Sequence, residues 1–443
     1  ANEISLRVSI RELFKGNIDI SGIKINGLNG TISFENGTWN IESIVQSINK
    51  NFQTGSSTTL DTKIAYISFD NAKLNLVSTP LEMKALVGSY IISGTINSPG
   101  SQPLILTDWN VIMPYNRGSF FSQQITISPL TEMFKIKGNI ELNKCDLAWL
   151  YSWGEVDFLP FSSVNGICSD TEISKNEIKG TFKGNSYLRN KRRLDAIGGF
   201  TANISPVIVK IKDVNASIDN SNAEASYINA SKGKIALGVK SMNIKLSEVI
   251  PLFMDIPSKN ISGNATGAFN YSGNDINSDV TIKNFSYGGD FKYIEIPEAK
   301  INIKNGLLTP LILNTKIIDQ TGSISIASTK NVLNDIILNF TFPTLDLDKI
   351  PMSDSKKSNI NVWPIPFNVR GNLSVKKVNY GSYSFTDVTA IYNTTATGIS
   401  IPRYSLQHFE STAVGKASID FIGMNRGINL ETSITGFKVQ RIG

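Results

Sequence analysis

Apolar residues fall at every second position along most of this chain. Ile4, Leu6, Val8 and Ile10 share one face of a first predicted strand. Ile18 and Ile20 begin the next, and Ile23 and Ile25 continue it after a one-residue slip at Gly22. Ile32 and Phe34 mark a third. The same alternation returns at Val207, Val209 and Ile211, at Ile235, Leu237 and Val239, and at Ile301 and Ile303. It recurs at Ile324 and Ile326, Leu373 and Val375, Ile399 and Ile401, and Ile419 and Phe421. Ser, Thr, Asn, Lys and Asp fill the positions between. A period of two with polar residues interleaved predicts strands with one apolar and one wet face. Turn dipeptides such as NG, GN, SG and GG recur between the runs and suit an antiparallel meander.

Helical signal is sparse. Asn40 reads as an N-cap for Ile41, Ile44, Val45 and Ile48, a short helix over 41–49 with one apolar stripe. Such a helix is too short to stand alone and is expected to cap a sheet edge. A second helix is expected at CDLAWLYSW with Asp146 as cap, and a third after Ser247 in SEVIPLF, limited by Pro251. The caps Asp146, Ser247 and Asp348 are spaced about a hundred residues apart, which suggests a large repeat. The Ser/Thr/Lys-rich segments 53–61 and 353–361 read as loops.

At about 14–16 residues per strand and turn, the 443 residues make roughly 28–30 strands, far beyond an ordinary sheet. A sheet of that size twists, and its apolar face must pack on another sheet, close as a barrel, or curl round something apolar. Trp is scarce, five in all, and the inward positions are mostly Ile, Leu and Val. A long aliphatic face fits acyl chains, although the same alternation is ordinary core in most β-proteins. The fold class expected is therefore mainly β: a long, twisted, taco-like antiparallel sheet with an apolar groove and a few capping helices. The in-phase apolar positions named above, from Ile4 to Phe421 but without Ile10, Ile23, Ile25, Ile399 and Ile401, are its candidate lining.

Composition removes several alternatives. One histidine, His408, leaves little material for zinc sites or Ser-His-Asp chemistry, and its alternating context places it on a polar strand face. No phosphate-cradling Gly loop or metal-spaced cluster is evident, so neither an enzyme nor a cofactor is expected. The net charge of +6 is spread out. The RNKRR run at 189–193 lacks interleaved aromatics and reads as a solvated loop, not a nucleic-acid site. Two cysteines, Cys145 and Cys168, make no disulfide framework; pairing and free thiols both stay open. No apolar run of 18 residues occurs.

The stretch IRELFKGNIDISGIKINGLNGTISFENGTWNIESIV resembles the opening of the AsmA family of bacterial envelope proteins. The resemblance rests on Leu13, Phe14, Lys15 and Gly16, then Glu35 to Asn40, then the strand pair at 63–78. The segment 371–421 is similar to the family's other recurring unit, and TLDLDKIP and NKCDLAWL to its strand ends. The resemblance implies an N-terminal module over 1–130 and further β-groove modules over 131–443 of the same sheet. It also implies a membrane anchor preceding this segment, so the chain is expected to be a trimmed part of a longer inner-membrane protein projecting into the periplasm. The implied function is transport of phospholipid between the inner and outer membranes, with phospholipids, bacterial membranes and envelope proteins as partners. Its functional residues would be groove-lining. An assembly factor for outer-membrane proteins and a structural β-rich surface protein are the alternatives.

Overall fold

The computed structural model describes residues 1–15, 20–35, 38–40, 64–79, 87–97, 103–128, 135–146, 161–174, 176–188, 192–204, 207–231, 234–253, 257–273, 275–288, 293–317, 319–332, 335–349, 368–394, 398–420 and 427–436. The strand alternation builds what the pattern predicts. Among these residues are 28 strands, and 26 of them are assigned to one open sheet. The chain divides into two compact units, one of 1–219 with 224–237, the other of 220–223 with 238–443.

In the first unit, β1 (Glu3–Val8) is followed by α1 (Ile10–Leu13), one turn of helix. Ile10 therefore leaves the strand it was expected to extend; Ser9 is the extended N-cap before it. β2 (Ile20–Asn26) pairs antiparallel with β1, and the slip at Gly22 is a β-bulge: Gly22 faces Arg7 but Ile20 faces Val8. β3 (Asn29–Ile32) does not fold back on β2; both run parallel to β6 (Tyr66–Leu76). Ile32 and Phe34 are thereby separated. Ile32 ends β3, whereas Phe34 lies in β4 (Phe34–Glu35), which pairs only with β5 (Thr38–Trp39) in a ribbon of its own. An antiparallel meander follows: β7 (Gly88–Asn97), β8 (Leu104–Ile112), β9 (Ser119–Ser128), β10 (Lys135–Asp146), β11 (Phe161–Ile173), β12 (Glu177–Leu188), β13 (Arg193–Ile204) and β14 (Val207–Ile218).

β15 (Ser221–Ser231) and β16 (Lys234–Lys245) straddle the division. In the second unit α2 (Leu246–Phe253) forms over the predicted SEVIPLF segment, but it starts at Leu246, so Ser247 lies inside the helix and not at its cap, and it runs past Pro251 to Phe253. β17 (Ile261–Ser272), β18 (Asp275–Tyr287), β19 (Ile294–Lys304), β20 (Leu307–Leu308), β21 (Leu311–Ile317), β22 (Gln320–Ala327) and β23 (Asp335–Asp346) continue antiparallel. β24 (Asn368–Tyr380) then pairs parallel with β23, a second departure from the expected meander. β25 (Tyr383–Thr394), β26 (Gly398–His408), β27 (Ser411–Asp420) and β28 (Gly427–Thr435) restore it. Parallel neighbours need a crossover, and β23 and β24 are separated by 21 residues in the chain. Arg370 locks this pair: its guanidinium donates to both carboxylate oxygens of Asp335, at 3.0 and 3.2 Å, and Thr329 donates to the same group.

The predicted helix at 41–49, the two loop segments and Ile18 and Phe421 lie outside the described residues. Asp146 is the last residue of β10, and Asp348 sits in a single 3-10 turn, 347–349.

Candidate functional site: rows of apolar side chains on the sheet

Ladder register places the alternating residues into rows that cross strands. In the first unit Leu6 faces Ile23, which faces Ile67, then Ile96, Leu106 and Ile125 in turn. Beside it Leu104 opens a second row through Ile127, Ile136, Ile173, Ile178 and Ala202 to Val209. Ile4 faces Ile25, Val8 faces Ile20, and Ile211 faces Phe200. Where these rows cross β8–β11 they enclose a pocket of about 170 Å³, walled by Trp109, Val111, Phe120, Ile125, Ile136 and Ile140. The two hydroxyls at its edge are already engaged, Ser122 with the Gln124 carbonyl and Thr171 with that of Cys168. The lining is therefore apolar, with its hydroxyls already paired.

The second unit repeats the arrangement. Ala265 faces Ile282, which faces Ala299; Ala299 packs with Leu313 and Ile324. From Leu313 the row runs through Ile324, Phe340, Leu373, Ala390 and Tyr404 to Gly415. Ile326 joins a shorter row between Leu311 and Leu338. Phe342, Val375 and Val388 form another. Ile301 and Ile303 pack around Leu308 and Val332. Ile419 pairs with Ile399 and Ile428. In β16, Val239 is buried and Ile235 and Leu237 are half-buried. Each apolar cluster of the second unit draws on consecutive elements of the chain.

Val207 belongs to β14, where it pairs with Ile204. The predicted lining on β1, β2, β14, β22, β24 and β27 falls into such rows, whereas Ile32 ends β3 opposite Leu76 and Phe34 stands in the separate ribbon. Burial along the rows is uneven. Ile4, Leu6 and Val8 are 37–62% exposed, whereas Phe342 and Val375 are 1% exposed and belong to packed interior.

Two structural devices escaped sequence reading. One is a set of bulges at which a residue adopts positive φ: Asn71, Asp108, Lys144, Asp170, Asp213, Asn284 and Asp387, each beside a register shift. Asx residues tolerate this conformation better than other side chains do, and each bulge bends its strand. Neighbouring Asn side chains satisfy the displaced amides. Asn165 accepts from the Lys144 N–H at 2.8 Å, and Asn139 from that of Asp170 at 3.0 Å. The other device is the seating of rings on glycines of the adjacent strand. Trp109 lies over Gly94 and Phe342 over Gly322, where an added Cβ would come within 2.9 and 2.2 Å of the ring.

His408 departs from expectation. It packs among the rings of Tyr383, Phe385 and Phe409, with Nδ1 2.9 Å from the Ser384 carbonyl, and not on a polar face. Cys145 and Cys168 are free thiols, and burial pushes both pKa values up. Burial alone would raise the pKa of Glu248 in α2, but hydrogen bonds from Ser221 Oγ (2.6 Å) and Asn220 hold it below the usual value. On the polar face Glu172 is ringed by Lys135, Lys137 and Lys179, which keep its carboxylate ionised. Among the described residues no three His, Cys, Asp or Glu side chains gather as a metal site, and no helix is long and apolar enough to cross a membrane.

No protein-family model, curated protein or solved structure matches the chain.

Proposed function

We propose that this chain carries acyl lipids, with the apolar rows shielding hydrocarbon from water while headgroups remain in solvent. The observation that carries the reading is the continuity of the rows. Aliphatic side chains succeed one another from strand to strand, most of them only half-buried, and the pocket beside Trp109 has no free polar group. Moving a fatty chain from water to such a face gains on the order of 10 kcal/mol before ordering costs, at ~0.8 kcal/mol per CH₂. A row of this kind recognises no particular atom, which is why no catalytic or headgroup motif accompanies it. Together with the AsmA-like opening, the reading is a phospholipid-transfer protein of the bacterial envelope, acting between inner and outer membranes in the periplasm.

Native mass spectrometry of the chain purified from membrane-containing cells tests this. The expected result is several phospholipid copies per chain, released on denaturation. A chain that emerges empty and stays empty when phospholipid is offered overturns the reading, and leaves a β-scaffold.

A further inference from the structure

The wet face of β8–β11 holds a second concavity, back to back with the apolar pocket beside Trp109. It is open to solvent, with a volume of about 640 Å³. Ladder register sets its walls in two short rows. Asn110 faces Phe121, Phe121 faces Glu141, and Glu141 faces Ile167. Beside them Ser119 faces Asn143. Their chain neighbours Trp109, Val111, Phe120 and Ile140 point through the other face into the apolar pocket. Elsewhere on the wet face charged groups pair, Glu172 with its lysines and Arg193 with Asp195. Here the side chains of Asn110, Ser119, Glu141 and Asn143 make no hydrogen bond or ion pair among the described residues. Between them stand Phe121, half-buried, and Ile167, 46% exposed.

A ring and an aliphatic side chain, flanked by two amides, a hydroxyl and a carboxylate, complement a ligand with an apolar patch rimmed by hydroxyl groups. Pyranose sugars have that build, with C–H bonds on the ring face and hydroxyls round the edge. We propose that this concavity is a saccharide-binding site: a sugar ring lies on Phe121 and Ile167, Asn110 and Asn143 exchange hydrogen bonds with its hydroxyls, and Glu141 accepts from another. The charges select a neutral sugar. Glu141 repels an anion from the centre, and Lys183, which faces Ile167 across β11–β12, disfavours a cation. An ammonium ligand would also engage only the carboxylate and the ring, and leave both amides idle. The sheet lies between this site and the apolar rows. The headgroup of a lipid held on the rows therefore does not reach it, and the occupant is a glycan chain from outside. The inference stands apart from the carrier reading.

The test is a printed array of neutral, N-acetylated and acidic oligosaccharides probed with the purified chain, then isothermal titration calorimetry with the glycan retained most strongly. Retention of neutral glycans is expected. Glu141→Ala combined with Asn143→Ala, at two exposed residues, should weaken binding about tenfold by loss of a charge-assisted and a neutral hydrogen bond. Phe121→Ser should do as much by removing the stacking surface. Circular dichroism checks folding, and if the half-buried Phe121 is needed for it, the Glu141 and Asn143 variant decides. Tyr383→Ser, at an exposed side chain in the other unit, should leave binding unchanged. Retention of no glycan, retention of acidic glycans alone, or binding untouched by the Glu141 and Asn143 variant overturns the proposal. Lipid in native mass spectra bears only on the rows, so either reading can fail without the other.

Discussion

β1 and the block β22–β25 carry the same period-two pattern and meet opposite fates. Ile4, Leu6 and Val8 alternate as cleanly as Phe340 and Phe342 or Leu373 and Val375. Yet the first three stand in solvent, and Phe342 and Val375 are shut away at 1% exposure. The difference comes from what lies across the ladder. Phe342 has Gly322 on one side, which lets the ring lie down on the neighbouring strand, and Val375 on the other. Farther along, Val378 and Ile317 complete the cluster. The residues of β1 have Ile20, Ile23 and Ile25 opposite them on one side only. Alternation therefore assigns a face; depth depends on neighbours.

This comparison is sharpened first at its buried end. Phe342→Ala should cost about 3–5 kcal/mol, because it removes a ring whose seat on Gly322 cannot collapse. Chemical denaturation followed by circular dichroism measures it, and a loss below about 1 kcal/mol would mean the block is no more packed than β1. Glu248 gives the next effect. Glu248→Ala strands the buried Ser221 hydroxyl and the Asn220 donors, at about 1–3 kcal/mol. Its pKa is lower folded than unfolded, so its contribution is present above the ordinary value of 4.5 and is lost as pH falls through the lowered one. Wild-type stability should fall on acidification below about pH 4.5, and the variant should show a shallower fall. The smallest structural effect belongs to β1. Leu6→Ser should change stability by less than about 0.5 kcal/mol, since most of the side chain is in water already. If the rows carry lipid, the same variant should lower the number of lipids retained in native mass spectra. A change in stability with lipid unchanged would assign Leu6 to packing instead.

Much of the arrangement was legible. The candidate residues came from periodicity alone, and register gathers most of those described into rows. The bulge at Gly22 was readable because a skipped position breaks the period. The helix in SEVIPLF was readable from a polar residue ahead of a short apolar run, although it starts one residue before Ser247. Other features hid for physical reasons. Phe34 keeps phase with Ile32 but turns into the ribbon with Trp39, because its N–H bonds Ser78, 44 residues away. The aromatic surroundings of His408 come from Tyr383 and Phe385 on the adjacent strand and Phe409 beside it; single-strand alternation carries only part of that contact.

By itself, the sequence determined that this is a strand-built protein with one aliphatic face per strand. That information is local: side chains of consecutive strand residues point to opposite faces whatever the strand's partners are. Tertiary structure alone decided the partners. It chose parallel pairing for β2 with β6 and β23 with β24, fixed by contacts such as Arg370 with Asp335 across 35 residues. It set Asx residues into left-handed bulges and supplied Asn139 and Asn165 from neighbouring strands to satisfy the freed amides. It also separated exposed rows from buried ones. Each of these depends on which backbone lies alongside, and a strand's own alternation is the same beside any neighbour.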